Sequence, residues 1–261
     1  MTKPTPTSPS HKVALVTGAG DRVGATLARR LAAEGFKVVV HYRSSAAGAK
    51  AVVAEIEAAG GEAALVQADL GNRADRAALI GKAAAAFGPL TLLVNNASAF
   101  EPDAVTDLDE ALWDLHFSVH VEAPVFLARD FANQLPEGAQ GNIINLIDER
   151  VLHTAPSYFS YTLSKSTLWA ATRTLAQSLA PRIRVNAIGP GPTLPSNVQT
   201  EDQFAVSQAR LPLQLGADPD DIADGLVYIL SARAMTGQML ALDGGQHLEW
   251  SPRRDVTPRK P

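Results

Sequence analysis

Short runs of aliphatic and β-branched residues recur along the chain, each followed by a polar or glycine-bearing turn and a longer Ala/Leu-rich stretch. Residues 12–16, 37–41, 63–67, 90–94, 142–147, 182–187 and 239–242 predict seven strands. Helical spacing predicts helices over 22–34, 45–59, 73–87, 158–180 and 219–231, and a long one over 107–135 bent at Pro124. The stretch after the sixth strand, 190–215, is rich in Pro and Gln and reads as irregular. Strands apolar on both faces and separated by helices make a parallel sheet with helices on each side. Right-handed crossovers then wind it doubly, with ligands at the carboxyl ends of the strands.

One domain over residues 12–250 accounts for this pattern, with flexible tails at 1–11 and 251–261, the second basic and Pro-rich. Of 261 residues 46% are hydrophobic, which excludes a disordered chain. The net charge of −4 does not suit a nucleic-acid surface, and no nucleic-acid partner is expected. With no cysteine, thiolate catalysis and cysteine-based zinc sites are excluded. No apolar run reaches the roughly 18–20 residues of a membrane span, and the first residues lack the apolar stretch of a secretory signal. A cytoplasmic protein without a membrane partner is the expectation.

The first turn reads TGAGDRVG, residues 17–24. Gly18, Gly20 and Gly24 allow a sharp bend from strand into helix, where backbone amides and the helix dipole suit a pyrophosphate. The same glycines would also serve a plain tight turn. After the second strand, a site for NAD would carry a carboxylate for the ribose hydroxyl. Here the stretch is HYRSS, residues 41–45, without one. Arg43, Ser44 and Ser45, with Arg22 in the glycine turn, suit a dianionic 2′-phosphate and so NADPH. Asp69 and Asn95 end the third and fourth strands, where an adenosine would rest and where turn caps also sit.

Tyr161 and Lys165 begin the helix after the fifth strand. At i and i+4 they share a helical face, so the ammonium is expected to lower the phenol pKa and let Tyr161 act as a proton donor. The remaining histidines show no metal-ligand spacing, and no metal is expected.

These motifs, followed by IRVNAIGPG (183–191) and GQMLALDGG (237–245), resemble the short-chain dehydrogenase/reductase family over residues 12–247. The resemblance implies a Rossmann-like α/β fold, a cofactor site including Gly18, Arg22, Val23, Tyr42, Arg43, Ser44, Asp69, Leu70, Asn95, Ala97, Tyr161, Lys165, Pro190 and Gly191, and a homotetramer. Within the family the chain is most similar to the pteridine reductases. TGAGDRVG carries Arg22 where most members have glycine, and HYRSSAAGA resembles their phosphate-binding segment. LVNNASAF places Ser98 and Phe100 where those enzymes hold a pterin, and NLID places Asp148 where the wider family has serine. The resemblance thus implies substrate contacts from Ser98, Phe100, Asp148 and Tyr161, and catalysis by Asp148, Tyr161 and Lys165.

A serine hydroxyl donates to a ketone, whereas an ionised aspartate accepts from ring N–H groups. Asp148 with a raised pKa, or a proton relayed from Tyr161, would supply a ring nitrogen. The expected activity is NADPH-dependent hydride transfer to a C=N bond of a pteridine-like heterocycle. Two alternatives stand: a carbonyl reductase of a ketone such as a 3-oxoacyl thioester, and a silent NADPH-binding sensor. The second draws on His120, which replaces the family's helix asparagine.

Overall fold

The computed structural model describes residues 12–195 and 199–248. The tails expected at 1–11 and 251–261 lie outside the described residues. Seven strands form one parallel sheet: β1 (Val13–Val16), β2 (Lys37–Tyr42), β3 (Ala63–Gln67), β4 (Leu92–Asn95), β5 (Gly141–Leu146), β6 (Ile183–Pro190) and β7 (Met239–Leu242). Their order is β3-β2-β1-β4-β5-β6-β7, with Ala14 opposite both Val38 and Leu92. The chain reverses direction across the sheet between β1 and β4, which opens a crevice above their carboxyl ends.

Alternation within each strand explains why both faces are buried. Val16, Val40, Val94 and Ile144 pack under α1 (Arg22–Ala33), α2 (Ala46–Ala58) and α8 (Pro219–Ser231) through Leu27, Ile56 and Leu226. Their neighbours Leu15, Val39, Leu93 and Ile143 face the other way, toward Leu79 of α3 (Arg73–Phe87) and Leu127 and Phe131 of α5 (Ala123–Gln134). Each large aliphatic side chain so buried contributes about 1.5–3 kcal/mol.

The long helix expected over 107–135 is instead two. Helix α4 (Glu110–Phe117) passes through a π-helical turn, Ser118–Glu122, into α5. The cause is Pro124, which has no N–H for the carbonyl four residues earlier and crowds that turn. The widened turn carries His120. A second difference lies in the region after β6, where helix α7 (Glu201–Ala209) interrupts the irregular stretch. Thr200 and Gln203 form a reciprocal capping box at its start, a signature present in the sequence. Helix α6 (Phe159–Leu179) follows β5 as expected.

Candidate active site

The glycine turn is shaped by side chains from two other segments. Gly18 adopts φ +62°, a conformation that other residues rarely take. Its N–H donates to His41 Nδ1 at 3.0 Å, and its carbonyl accepts from Asn96 Nδ2 at 3.0 Å. Thr17 Oγ1 accepts from the backbone N–H groups of Asn96 and Ala97. A Cβ at Gly24 would stand 2.2 Å from the Gly18 carbonyl oxygen and 2.5 Å from Asn96 Nδ2, so only glycine fits. His41 Nε2 bonds the Ala68 carbonyl at 3.1 Å, tying the turn to the end of β3. Burial lowers the His41 pKa to about 4, which keeps the ring neutral. Nε2 then carries the proton and Nδ1 accepts from Gly18. Neither His41 nor Asn96 was among the expected site residues; their bonds span 23 and 78 positions, beyond any local motif.

The residues around this turn fit a phosphorylated dinucleotide. Asp21 precedes α1 without capping it, and the first turn of α1 holds no acid, so its leading amides keep their anion-binding capacity. Arg22, Arg43, Ser44 and Ser45 are all exposed at the same sheet edge. Arg22 holds φ +49°, and its Nη1 donates to the Pro195 carbonyl at 2.9 Å. Val23 and Tyr42 pack against the core beneath. Asp69 Oδ1 accepts from Gly71 N in a turn, so the capping role is realised at that carboxylate. The side chain of Leu70 belongs to the core. Asn95 differs from expectation: its amide is buried and committed to Asn145 Oδ1 at 2.8 Å, inside the sheet. Ala97 adjoins Gly18 across the turn, Pro190 ends β6 and Gly191 follows it. A Cβ at Gly191 would meet Asp243 Cα at 2.7 Å.

Beyond the turn, Asp148, Tyr161 and Lys165 converge. Tyr161 Oη donates to Asp148 Oδ2 at 2.7 Å, while Asp148 Oδ1 accepts from Arg150 N at 2.9 Å. Lys165, fully buried, donates from Nζ to the Leu146 carbonyl at 2.8 Å. Burial pushes the Asp148 carboxyl upward, partly offset by the bonds from Arg150 N and Tyr161. Burial lowers Lys165 to about 8. The expected effect of Lys165 on Tyr161 is overturned. Burial and the facing Asp148 carboxylate push the phenol well above its usual value, so Tyr161 is a firmly protonated donor. Desolvation and the hydrogen-bonded anion outweigh the opposing Arg150 charge and Ser98 hydroxyl.

His120 connects the two halves of the site. Ala99 N–H donates to its Nε2 at 3.1 Å, and Ser98 Oγ lies 3.0 Å from the same atom. An Nε2 that accepts leaves the proton on Nδ1, which donates to Ser164 Oγ at 2.8 Å. Ser164 in turn donates to the Tyr161 carbonyl at 2.7 Å. Burial first, then the Lys165 charge, holds the His120 pKa well below its usual value and keeps the ring neutral. His116 lies one turn away, its Nδ1 2.7 Å from Ser160 Oγ, and Asp103 receives both the amide and the hydroxyl of Ser160 at the start of α6.

Phe100 stacks on Tyr158 at 4.3 Å between ring centroids and meets Tyr161 edge-on at 4.8 Å. Tyr158 holds a left-handed backbone, φ +58°, at the N-cap of α6. A bulky residue tolerates that only where its surroundings fix it. Its N–H donates to the Asp103 carbonyl at 2.9 Å.

A dinucleotide-type crevice beside an Asp–Tyr–Lys cluster defines a nicotinamide-type oxidoreductase architecture. Residues 18–247 match the family model described as enoyl-(acyl carrier protein) reductase. An uncharacterized oxidoreductase of Methylorubrum extorquens is 38% identical over 242 residues, covering 90% of this chain and 97% of that one. Pteridine reductase 1 of Leishmania tarentolae is 32% identical over 289 residues, covering 93% and 98%. The solved structure of FolM alternative dihydrofolate reductase 1 from Brucella canis, complexed with NADP, superposes with a TM-score of 0.90 at 48% identity, covering 94% and 97%. The chain belongs to the short-chain dehydrogenase/reductase family of oxidoreductases. Among the described residues, no helix is long and apolar enough to cross a membrane, and no cluster of His, Asp or Glu could hold a metal ion.

Proposed function

We propose that this oxidoreductase reduces a C=N bond of a pteridine-like heterocycle with NADPH. The carrying observation is Asp148, which accepts the Tyr161 hydroxyl at 2.7 Å in a position where a ketone reductase of the family would have serine. An aspartate accepts from the ring and exocyclic N–H groups of an aminopterin, which a serine cannot match in charge. The cofactor supplies hydride to the ring carbon. Asp148, its carboxyl raised by burial, would pass a proton to the adjacent ring nitrogen, and the Tyr161 hydroxyl would relay its replacement across their 2.7 Å bond, taking up a proton from solvent as it gives one. One hydride and one proton convert C=N to CH–NH. Lys165 anchors the cofactor ribose from the floor of the site, and Phe100 supplies the stacking wall with Ser98 at its edge.

Arg22, Arg43 and Ser44 support the choice of NADPH, as do the relatives solved with NADP. The pteridine reductase and dihydrofolate reductase names among the relatives support the substrate class. Thioester chemistry, which the family model's description names, fits less well with an acceptor at position 148. A homotetramer belongs to this proposal by family resemblance, and sedimentation equilibrium tests it.

The test follows NADPH absorbance with dihydrobiopterin, dihydrofolate and simple ketones, for the unaltered protein, Asp148→Ser and Tyr161→Phe. Pteridine-dependent oxidation that both substitutions reduce at least about a hundredfold is the expected result. Ketone turnover that survives or improves in Asp148→Ser would overturn it.

A further inference from the structure

Arg150 borders the proton-transfer cluster, its charge acting on Asp148 and Tyr161, yet that role leaves its guanidinium N–H donors unused. Its guanidinium lies 5.0 Å from the Tyr158 ring centroid and 5.9 Å from that of Phe100. Its Nε stands 3.8 Å from Asp148 Oδ1, an ion-pair distance too long for a hydrogen bond. The side chain is largely sheltered, with 22% of its surface exposed. Every other sheltered arginine finds acceptors: Arg76 bonds the Leu70 carbonyl and Glu122, and Arg184 bonds four carbonyls. Among the described residues the Arg150 guanidinium, with five N–H donors, has no hydrogen-bond acceptor.

A guanidinium held on an aromatic pair and left without acceptors is preorganised for a planar anion. It stands on the same wall as Phe100 and next to Asp148. A substrate whose ring reaches Asp148 and stacks at Phe100 therefore carries its ring substituent past Arg150. We infer that Arg150 is a specificity-determining residue that binds a carboxylate on that substituent, so that the preferred substrates are pteridines bearing an acidic side chain rather than neutral ones. This assignment rests on the heterocycle reading given above and narrows it.

The bidentate pair of guanidinium and carboxylate supplies geometry as well as charge, and lysine reproduces only the charge. The cofactor phosphates have their own arginines at the far side of the glycine turn, so Arg150 is not needed there.

The decisive comparison is dihydrofolate, its dimethyl ester and dihydrobiopterin as substrates of the unaltered protein, then of Arg150→Gln and Arg150→Lys. For the unaltered protein, esterification is expected to lower kcat/KM by roughly tenfold or more, through KM. Arg150→Gln should abolish this preference for the free acid, and Arg150→Lys should retain part of it. Equal kcat/KM for acid and ester in the unaltered protein overturns the assignment, and that arm needs no variant to fold. A preference for the acid that persists in Arg150→Gln overturns it as well. Turnover of none of the three, together with no folate binding by calorimetry, overturns both this assignment and the heterocycle reading. Turnover without discrimination overturns this assignment alone.

Discussion

Tyr161 donates its hydroxyl hydrogen bond to Asp148 Oδ2 across 2.7 Å, and burial together with this pairing governs the protonation of both groups. Asp148 holds the phenol protonated, and burial makes Asp148 ready to take up a proton. Asp148→Asn removes the anion while preserving shape. The phenol of Tyr161 should therefore ionise at lower pH in that variant than in the parent. Ultraviolet titration of phenolate, with Tyr161→Phe subtracted, reads the shift; a rise or no change contradicts the coupling.

His120→Leu keeps the volume of the ring approximately but leaves the Ala99 amide without its acceptor and Ser164 without its donor. Buried polar groups left unpaired cost about 1–3 kcal/mol each, so a loss of about 2–4 kcal/mol in urea unfolding is expected. Because the loop bearing Ser98 and Phe100 loses its tie to α6, KM should rise more than kcat falls. His120→Asn should recover part of both.

Acid stability carries the signature of His41. Its folded pKa of about 4 lies below the ordinary value of 6.5, so between those values the unfolded chain binds the extra proton. Stability is therefore full above about pH 6.5 and falls as pH drops toward 4, by an amount on the order of 3 kcal/mol. His116 and His120, also lowered by burial, act in the same direction. His41→Gln should flatten part of this acid limb in unfolding measurements from pH 7 to 4. A limb of unchanged slope would show that His41 is not its source.

Cofactor choice should follow Arg43. Arg43→Ala is expected to raise KM for NADPH by about ten- to a hundredfold, the cost of a charge-assisted phosphate contact. KM for NADH should change less. Equal changes for both cofactors would place Arg43 away from the 2′-phosphate.

Gly24→Ala should destabilise the chain by several kcal/mol, since its Cβ would sit 2.2 Å from the Gly18 carbonyl oxygen within backbone that cannot retreat. Thermal unfolding with and without NADPH checks this, and the stabilisation by cofactor should shrink together with Tm.

Much of this architecture was legible because parallel strands buried on both faces leave continuous apolar runs. Five of the helices followed from helical spacing and terminal signals, and a sixth expected helix covered α4 and α5 together. The break between α4 and α5 was misplaced because a proline acts on the turn before itself, so Pro124 marks the site of the bend but not the π-helical turn at Ser118–Glu122. Helix α7 was missed although Thr200 and Gln203 announce it, because the surrounding prolines dominated the reading. At the site, Tyr161 and Lys165 were readable from spacing and residue type, and Asp148 only through the family resemblance. The sign of the Tyr161 shift was not, since it depends on burial that no spacing reveals. His41, Asn96 and Tyr158 act through partners distant in sequence, and only the folded chain brings those partners together.

The bonds from Asn96 and Ala97 to Thr17 and Gly18 join positions 78 to 80 residues apart. The glycine turn therefore cannot take its final shape when its own sequence is first synthesised. It must wait for β4 to dock beside β1, a closure whose entropy has to be offset by the intervening segment of α1, β2, α2, β3 and α3. The nucleotide crevice is thus a late product of folding, and a cofactor that enters it selects chains whose central sheet is already complete.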